Sequence, residues 1–372
     1  MQLSSPMGRE SAKVYTILDI GLTRAMGEEI RDLISDELYL SSSLLYRQAP
    51  FAVLFIPPSG FDRFASEIGR LRAISYKVLS PATLDDVDLD GRDSNYWQLL
   101  VIDEATAQVA GGARISFSAF HGASWDGTNS YLEHCYPGID RALNSQGNGY
   151  VELGRTFVSP NYQRTSNTLL HIMRATVMAA TDTSHRFIIG MVSYNHFQFS
   201  PSANALFISE LLSPAFKGNL VVPPPRHCCP FNTTAEERAL LAAWDTIPAA
   251  ASNEKTRFPP EAEAENATLE TTSIERLASL SSTTYAELEL KLRSCVQDEF
   301  RIPIIMKRYA RMAGAKPIGL SVAKDFNQIT EILMYCDLHE LSPLQRRKLL
   351  DHDRHRGWLN QLPSPYTPSP KP

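Results

Sequence analysis

Several charged side chains stand where apolar ones are expected. Glu152 and Arg155 interrupt a run that is apolar at Val151, Leu153, Phe157 and Val158. Arg114 interrupts VAGGARISF, Arg72 and Tyr76 lie one helical turn apart in LRAISY, and Asp88, Asp90 and Asp93 form D-x-D-x-x-D before a β run. A charge on a half-buried strand is costly unless it is paired. Two arrangements satisfy that condition. One is an ion-pair network, with Arg155 on Glu152 or an aspartate, that stabilises a sheet edge. The other is a site in which a carboxylate takes a proton and the aspartates receive a cationic substrate. Asp90 and Asp93 also suit a turn before residue 97.

Most other catalytic signatures are missing: there is no G-x-x-x-x-G-K-[ST], no H-E-x-x-H and no G-x-S-x-G. Gly147-Asn148-Gly149 opens like a dinucleotide fingerprint, but Glu152 stands where the third glycine belongs. Asn195-His196 opens like the N-H-x-x-x-x-D signature of glycerolipid acyltransferases, but Pro201 holds the Asp position. His196 then lacks a carboxylate to orient it and reads as structural. Cys135, Cys228, Cys229, Cys295 and Cys336 form no C-x-x-C pair and read as reduced thiols, with no metal site.

The elements that must position these residues follow from periodicity. Residues 14–48 read as helix, with Glu28, Glu29, Asp32 and Asp36 opposite an apolar stripe. FAVLFI (51–56) suits a buried strand stopped by Pro57-Pro58, and a helix follows over 60–75. WQLLVID (97–103) and VAGGARISF (109–117), joined by EATAQ, predict a hairpin. Residues 118–149 read as loop or short helix. YVELGRTFVS is a β run ending at Pro160, a capped helix follows from the Ser/Thr/Asn cluster at 165–168, and RFIIGMVSY (186–194) is an apolar strand. A short helix over 200–213, a strand over 219–223 and a helix over 284–299 complete the pattern.

Composition constrains the organisation. Lys+Arg 36 against Asp+Glu 41 gives a net charge of −5, too mild for a nucleic-acid binder. Residues 301–372 carry 12 basic and 6 acidic side chains, so a basic C-terminal part is hidden in that total. Seven of the 24 prolines fall in 223–260 and five in 363–372, which marks an internal insertion at 223–283 and a loose tail. The expected division is a helical extension at 1–50, a main domain at 51–342 interrupted at 223–283, and a basic segment with a Pro-rich tail at 343–372. With no signal-like N-terminus and no long apolar stretch, the expectation is a cytoplasmic protein.

Together LRAISY, DLDGRD, the hairpin ending in GGARI, and YVELGRTFV resemble the N-acyltransferase branch of the GNAT superfamily. That branch holds ornithine-lipid N-acyltransferases, N-acyl amino acid synthases and acyl-homoserine lactone synthases. The segment IPIIMKRYARMAGAKPIGLSVAKDFNQITEILMYCDL is similar to the closing segment of the ornithine-lipid group. The resemblance spans roughly 68–222 and 285–341. It implies an α/β GNAT fold, with a central mixed, mostly antiparallel sheet flanked by helices. It also implies that Arg72, Tyr76, Asp90, Asp93, Arg114, Glu152 and Arg155 line the cleft for acyl donor and amine acceptor. Tyr76 stands where the family usually has Phe, and KVLSPATLDD replaces a stretch that carries Trp in lactone synthases.

Amide formation from a thioester requires a neutral amine, a polarised carbonyl and a departing thiol. A positioned carboxylate contributes about 10²–10⁴-fold, and Glu152 is the candidate base. In a straight strand Glu152 and Arg155 face opposite sides. A shared site therefore predicts an irregularity at 153–155, with Gly154 as the bulge residue. The turn after this strand, N-Y-Q-R-T-S-N-T, lacks the glycines that cradle a coenzyme A pyrophosphate in this fold. Arg164, Thr165 and Ser166, with helix-terminal N–H groups, suit one phosphate. That fits a donor on the phosphopantetheine of acyl carrier protein rather than coenzyme A, with no resident cofactor. The expected product is a lyso-aminolipid, made on the amine of an amino acid such as ornithine. Alternatives are an N-acyl amino acid or acyl-homoserine-lactone-type signal synthase, or a non-catalytic regulator that binds acyl chains or carrier protein. Lys307, Arg308, Arg311, Lys316, Arg346, Arg347, Lys348, Arg354 and Arg356 suit the acidic carrier or an anionic bilayer, the latter giving peripheral contact with the inner membrane face.

Overall fold

The computed structural model describes residues 43–77, 86–118, 130–145, 149–163, 167–228, 284–324, 328–351 and 354–355. In chain order the regular elements begin with β1 (Leu44–Gln48), β2 (Phe51–Ile56), a 3₁₀ turn (Pro58–Arg63) and α1 (Ala65–Tyr76). The predicted hairpin is β3 (Trp97–Asp103) and β4 (Gln108–Phe117). Two short helices, α2 (Tyr131–Cys135) and α3 (Ile139–Ser145), precede β5 (Tyr150–Val158). Then come α4 (Thr168–Asp182), β6 (Phe187–Tyr194) and α5 (Pro201–Leu211). The chain closes with α6 (Tyr285–Cys295), α7 (Ile304–Ala313), β7 (Lys316–Val322), β8 (Thr330–Asp337) and α8 (Pro343–Leu349).

The eight strands form one sheet in the order β1-β2-β3-β4-β5-β6-β8-β7, antiparallel except for β5 with β6. Strands from both sides of the 223–283 stretch therefore share it. On one face α4, α5, α6 and α7 cover a large core that includes Leu99, Val101, Ile115, Val151, Leu153, Ile188 and Ile332. The other face carries two smaller cores. Phe64, Ile68 and Leu71 of the α1 region pack on Leu54, Leu100 and Phe157. Leu132 of α2 with Ile139 and Leu143 of α3 pack on Tyr150, Ile189, Leu333 and Tyr335. Between these two cores lies a strip of buried charge.

Two local expectations are corrected. Helix was expected through residue 48, but β1 pairs antiparallel with β2, Arg47 opposite Ala52 and Gln48 opposite Phe51. The pairing, together with the Tyr46 hydroxyl bonded to His171 Nδ1 of α4 at 3.0 Å, overrides the helical spacing. The rest of the 14–48 helix lies outside the described residues, as do the 229–283 part of the insertion and the tail beyond residue 355. The strand expected at 219–223 is not formed. This segment runs beside edge strand β7 on isolated bonds, Gly218 N–H to Pro317 O and Val322 N–H to His227 O, because Pro223, Pro224 and Pro225 have no N–H for a ladder.

Parallel pairing of β5 with β6 is limited to Tyr150–Phe187, Val151–Ile188 and Glu152–Ile189. At its end the strands touch, and a Cβ on Gly190 would clash with the Leu153 carbonyl oxygen. Beyond this point β5 continues only with β4 and β6 only with β8, so the sheet opens.

Candidate active site

The irregularity expected at 153–155 is present. Arg114 pairs with Gly154 and Gly112 with Phe157, so Ala113 alone opposes Arg155 and Thr156. The left-handed residue is Arg155 (φ +48°) rather than Gly154. The extra residue resets the alternation, so Phe157 turns into the α1 core while Leu153 stays in the core under α4. A non-glycine residue at positive φ costs about 1 kcal/mol or more and persists only where its surroundings fix it. Here the Arg155 guanidinium is tied to Asp88 and Asp90, each at 3.3 Å. Thr156 is held from both faces, its carbonyl by the Tyr76 hydroxyl (3.1 Å) and its hydroxyl by the Tyr309 hydroxyl (2.9 Å). Burial pushes the Tyr76 phenol up to about 12, so it serves as a hydrogen-bond donor at neutral pH.

Five of the expected site residues join one chain of alternating charge. Arg72, fully buried on α1, donates to Asp93 (2.7 Å) and to Gln98 Oε1 (3.1 Å). Arg114 Nη1 donates to Asp90 (2.8 Å) and Asp93 (3.2 Å), and its guanidinium lies over the Tyr96 ring. Asp90 also receives Arg155, and Asp93 also accepts the Asp90 backbone N–H (2.9 Å). Burial alone would raise both carboxyls. The arginines, with the backbone N–H groups of Arg92 on Asp90 and Asp90 on Asp93, outweigh it and hold both below the usual carboxylate range. Asp93 is 1% exposed and wholly engaged by these donors.

Glu152 is on the same face but is held differently. It is 2% exposed. Its carboxylate accepts the Ser130 hydroxyl at 2.8 Å, the Tyr96 hydroxyl and the Leu132 backbone N–H. Ser130 is also the N-cap of α2, so the turn that starts this helix also fixes the carboxylate. Burial raises the Glu152 carboxyl above its ordinary value, and these donors with the charge of Arg114 only partly offset it. A carboxyl raised in this way, at the point where the sheet parts, is a stronger base than an ordinary carboxylate.

Sequence reasoning missed Glu331. It lies on β8, opposite Ser193 of β6 and Ser321 of β7, at the open end of the sheet. It is 4% exposed, and Oε1 accepts the Tyr131 hydroxyl at 2.8 Å. Oε2 faces Ser321 Oγ at 3.5 Å and Cys135 Sγ at 3.8 Å. Burial raises its carboxyl to about 7 against the pull of Tyr131, Arg155, Cys135 and Ser321. The available signal was a lone acid in ITEILMYC, an otherwise apolar run. Arg164, Thr165 and Ser166 lie outside the described residues. Among the described residues, no three His, Cys, Asp or Glu side chains gather as metal ligands, and no helix is long and apolar enough to cross a membrane.

Residues 71–173 match the family described as Acetyltransferase (GNAT) domain. This is the GNAT fold. The match runs from α1 into α4 and includes every expected site residue, whereas Glu331 lies outside it. The chain is accordingly an enzyme of the N-acyltransferase class. No curated protein matches it. Among solved structures, the acyl-homoserine lactone synthase LasI is 17% identical over 38% of this chain and 72% of its own, with a TM-score of 0.29. The CoA-dependent acyl-homoserine lactone synthase MesI is 10% identical over 82% of this chain and 95% of its own (TM-score 0.32). FeeM, an N-acyl amino acid synthase from uncultured soil microbes, is 14% identical over 47% and 86% (TM-score 0.27). At these TM-scores the functional argument rests on the site.

Proposed function

We propose that this GNAT N-acyltransferase moves a fatty acyl group, 3-hydroxylated in one form, from acyl carrier protein to the amine of an amino acid such as ornithine. The observation that carries this reading is Glu152, buried where β5 and β6 part and held by neutral donors. The amine attacks the thioester carbonyl, the C–N bond forms, the C–S bond breaks, and the thiolate leaves with a proton. Glu152 takes the proton that the nitrogen must lose, directly or through water. Backbone N–H groups at the opening of the sheet suit the oxyanion.

The donor assignment rests on chemistry around α4. The turn before it contains no glycine, and Arg164 with Thr165 and Ser166 suits the single phosphate of a phosphopantetheine arm. α7 and α8 both pack on α4 and carry Lys307, Arg308, Arg311, Arg346, Arg347 and Lys348, a basic flank for an acidic carrier. An anionic bilayer is the competing occupant, and binding to vesicles with and without anionic lipid separates the two.

The test is acylation of a panel of amino acids and amines by the purified chain, with acyl carrier protein and coenzyme A thioesters side by side, read by mass spectrometry. The expected result is an N-acyl amino acid from carrier-bound donor, and a loss of about 10²–10⁴-fold in Glu152→Ala. No N-acyl product with any acceptor removes the reading. Wild-type turnover in Glu152→Ala removes the base assignment alone.

A further inference from the structure

An ammonium that becomes an amide nitrogen loses two protons, while the departing thiolate gains one. One proton must therefore leave the site in every turnover. Glu152 can pass the proton it takes to the thiolate, and the second needs another acceptor. The aspartates do not suit that task, because Asp90 and Asp93 are bound by arginines and held below the usual carboxylate range.

Glu331 does suit it. It lies on the same face as Glu152, at the open end of the sheet, and Arg155 on the parted stretch of β5 is close enough for its charge to act on it. Its hydrogen-bond partners, the Tyr131 and Ser321 hydroxyls and the Cys135 thiol, are neutral. Those same three residues line a cavity of about 10 Å³, which holds roughly one water. The remaining wall consists of His134, His227, Val322, Ala323 and Lys324. The carboxylate thus stands between the opening of the sheet and a water-sized cavity ringed by titratable side chains.

Building on the N-acyltransferase reading above, we infer that Glu331 is a second proton acceptor of the reaction. It takes the first proton from the acceptor's ammonium and releases it through Tyr131 and Ser321 to the cavity. The steps balance. The ammonium and the Glu331 carboxylate become neutral amine and carboxylic acid. The amine attacks and gives its second proton to Glu152, Glu152 returns it to the thiolate, and Glu331 gives its proton to the water side. The groups facing Glu331 are Tyr131 and Cys135 on α2, Arg155 on β5 and Ser321 on β7. Beyond Tyr131 stand His134, stacked on its ring, and Arg92, over the ring at 5.7 Å from its centroid. A carboxyl shifted by burial to about 7 can both take and release a proton at neutral pH.

The test uses the full chain with two nucleophiles, the best amino acid acceptor from the panel and hydroxylamine, which is already deprotonated at the assay pH. With the amino acid, wild type gives an acid limb in kcat/KM near pH 7. Glu331→Gln loses that limb and about 10²-fold in kcat, and Glu331→Asp recovers part of it. With hydroxylamine the loss in Glu331→Gln shrinks to a few-fold. Equal losses on both nucleophiles, or an unmoved acid limb, overturn the inference while leaving the N-acyltransferase reading intact. A wild type that acylates no amine overturns that reading instead, and this inference with it.

Discussion

Two sets of buried charge share one face of the sheet and are built in opposite ways. From Arg72 through Asp93, Arg114 and Asp90 to Arg155 and Asp88, cations and anions alternate at 2.7–3.3 Å, with a guanidinium beside each carboxylate. Glu152 and Glu331 are held instead by hydroxyls, a thiol and a backbone N–H. The chemical consequence is a difference in sign. Burial is overcome by arginine at Asp90 and Asp93, whose carboxyls fall, and is not overcome at Glu152 and Glu331, whose carboxyls rise. The first set fixes the geometry of α1, β3, β4 and the bulge. The second set keeps two carboxylates ready to exchange protons.

The largest effect that sharpens this contrast comes from breaking the alternating chain. Arg114→Leu leaves Asp90 and Asp93 facing each other without the guanidinium between them. The expected cost is about 3–5 kcal/mol, the range for removing one partner of a buried pair. Urea unfolding of wild type and variant measures it. A loss below 1 kcal/mol means that the network is not what holds this part of the fold, and the division drawn above fails.

A smaller effect comes from pH, and its sign differs between the two sets. Asp90 and Asp93 are depressed in the folded chain, so their stabilisation is complete above the ordinary value of 3.8 and is lost as pH falls below it. Glu331 is raised from 4.5 to about 7, so the folded chain binds its proton more tightly than the unfolded chain does. Its contribution is therefore most favourable below 4.5 and is lost as pH rises through 7. Glu331→Gln removes that loss. The variant is expected to match wild type near pH 5 and to be more stable by about 1–3 kcal/mol at pH 8. A constant difference across this range means that Glu331 does not titrate there.

Much of the fold was legible because local pattern and final packing agree. The β3–β4 hairpin, β5 and β6 carry their apolar alternation in the sequence and lie within one residue of the expected spans, and α4 follows the Ser/Thr/Asn cluster. Residues 44–48 misled because LLYRQ continues a helical spacing, and only pairing with β2 makes it a strand. The bulge was legible from a conflict, since Glu152 and Arg155 serve one face only if the strand slips by a residue. Its identity was not, because charge pairing rather than glycine freedom holds the left-handed residue. Glu331 left only a weak mark in the sequence, a lone acid in the apolar run ITEILMYC. Its principal donor, Tyr131, is 200 residues away in sequence, and nothing local distinguishes this acid from a charge at the end of an apolar strand.

The smallest test concerns Tyr76, which belongs by position to the alternating chain and by function to the bulge. Arg72, Arg155 and Arg114 all pull on its phenol, yet burial dominates and keeps it protonated. It donates to the Thr156 carbonyl, while Tyr309 holds the same bulge residue from the opposite face. Tyr76→Phe keeps the ring and deletes that bond, leaving a carbonyl at the open edge of β5. The expected cost is about 0.5–1.5 kcal/mol, with kcat/KM changed by less than a few-fold. Thermal unfolding and acceptor kinetics measure the two together. A loss of activity that exceeds the loss of stability would show that the Tyr76 hydroxyl acts on the substrate rather than on the bulge.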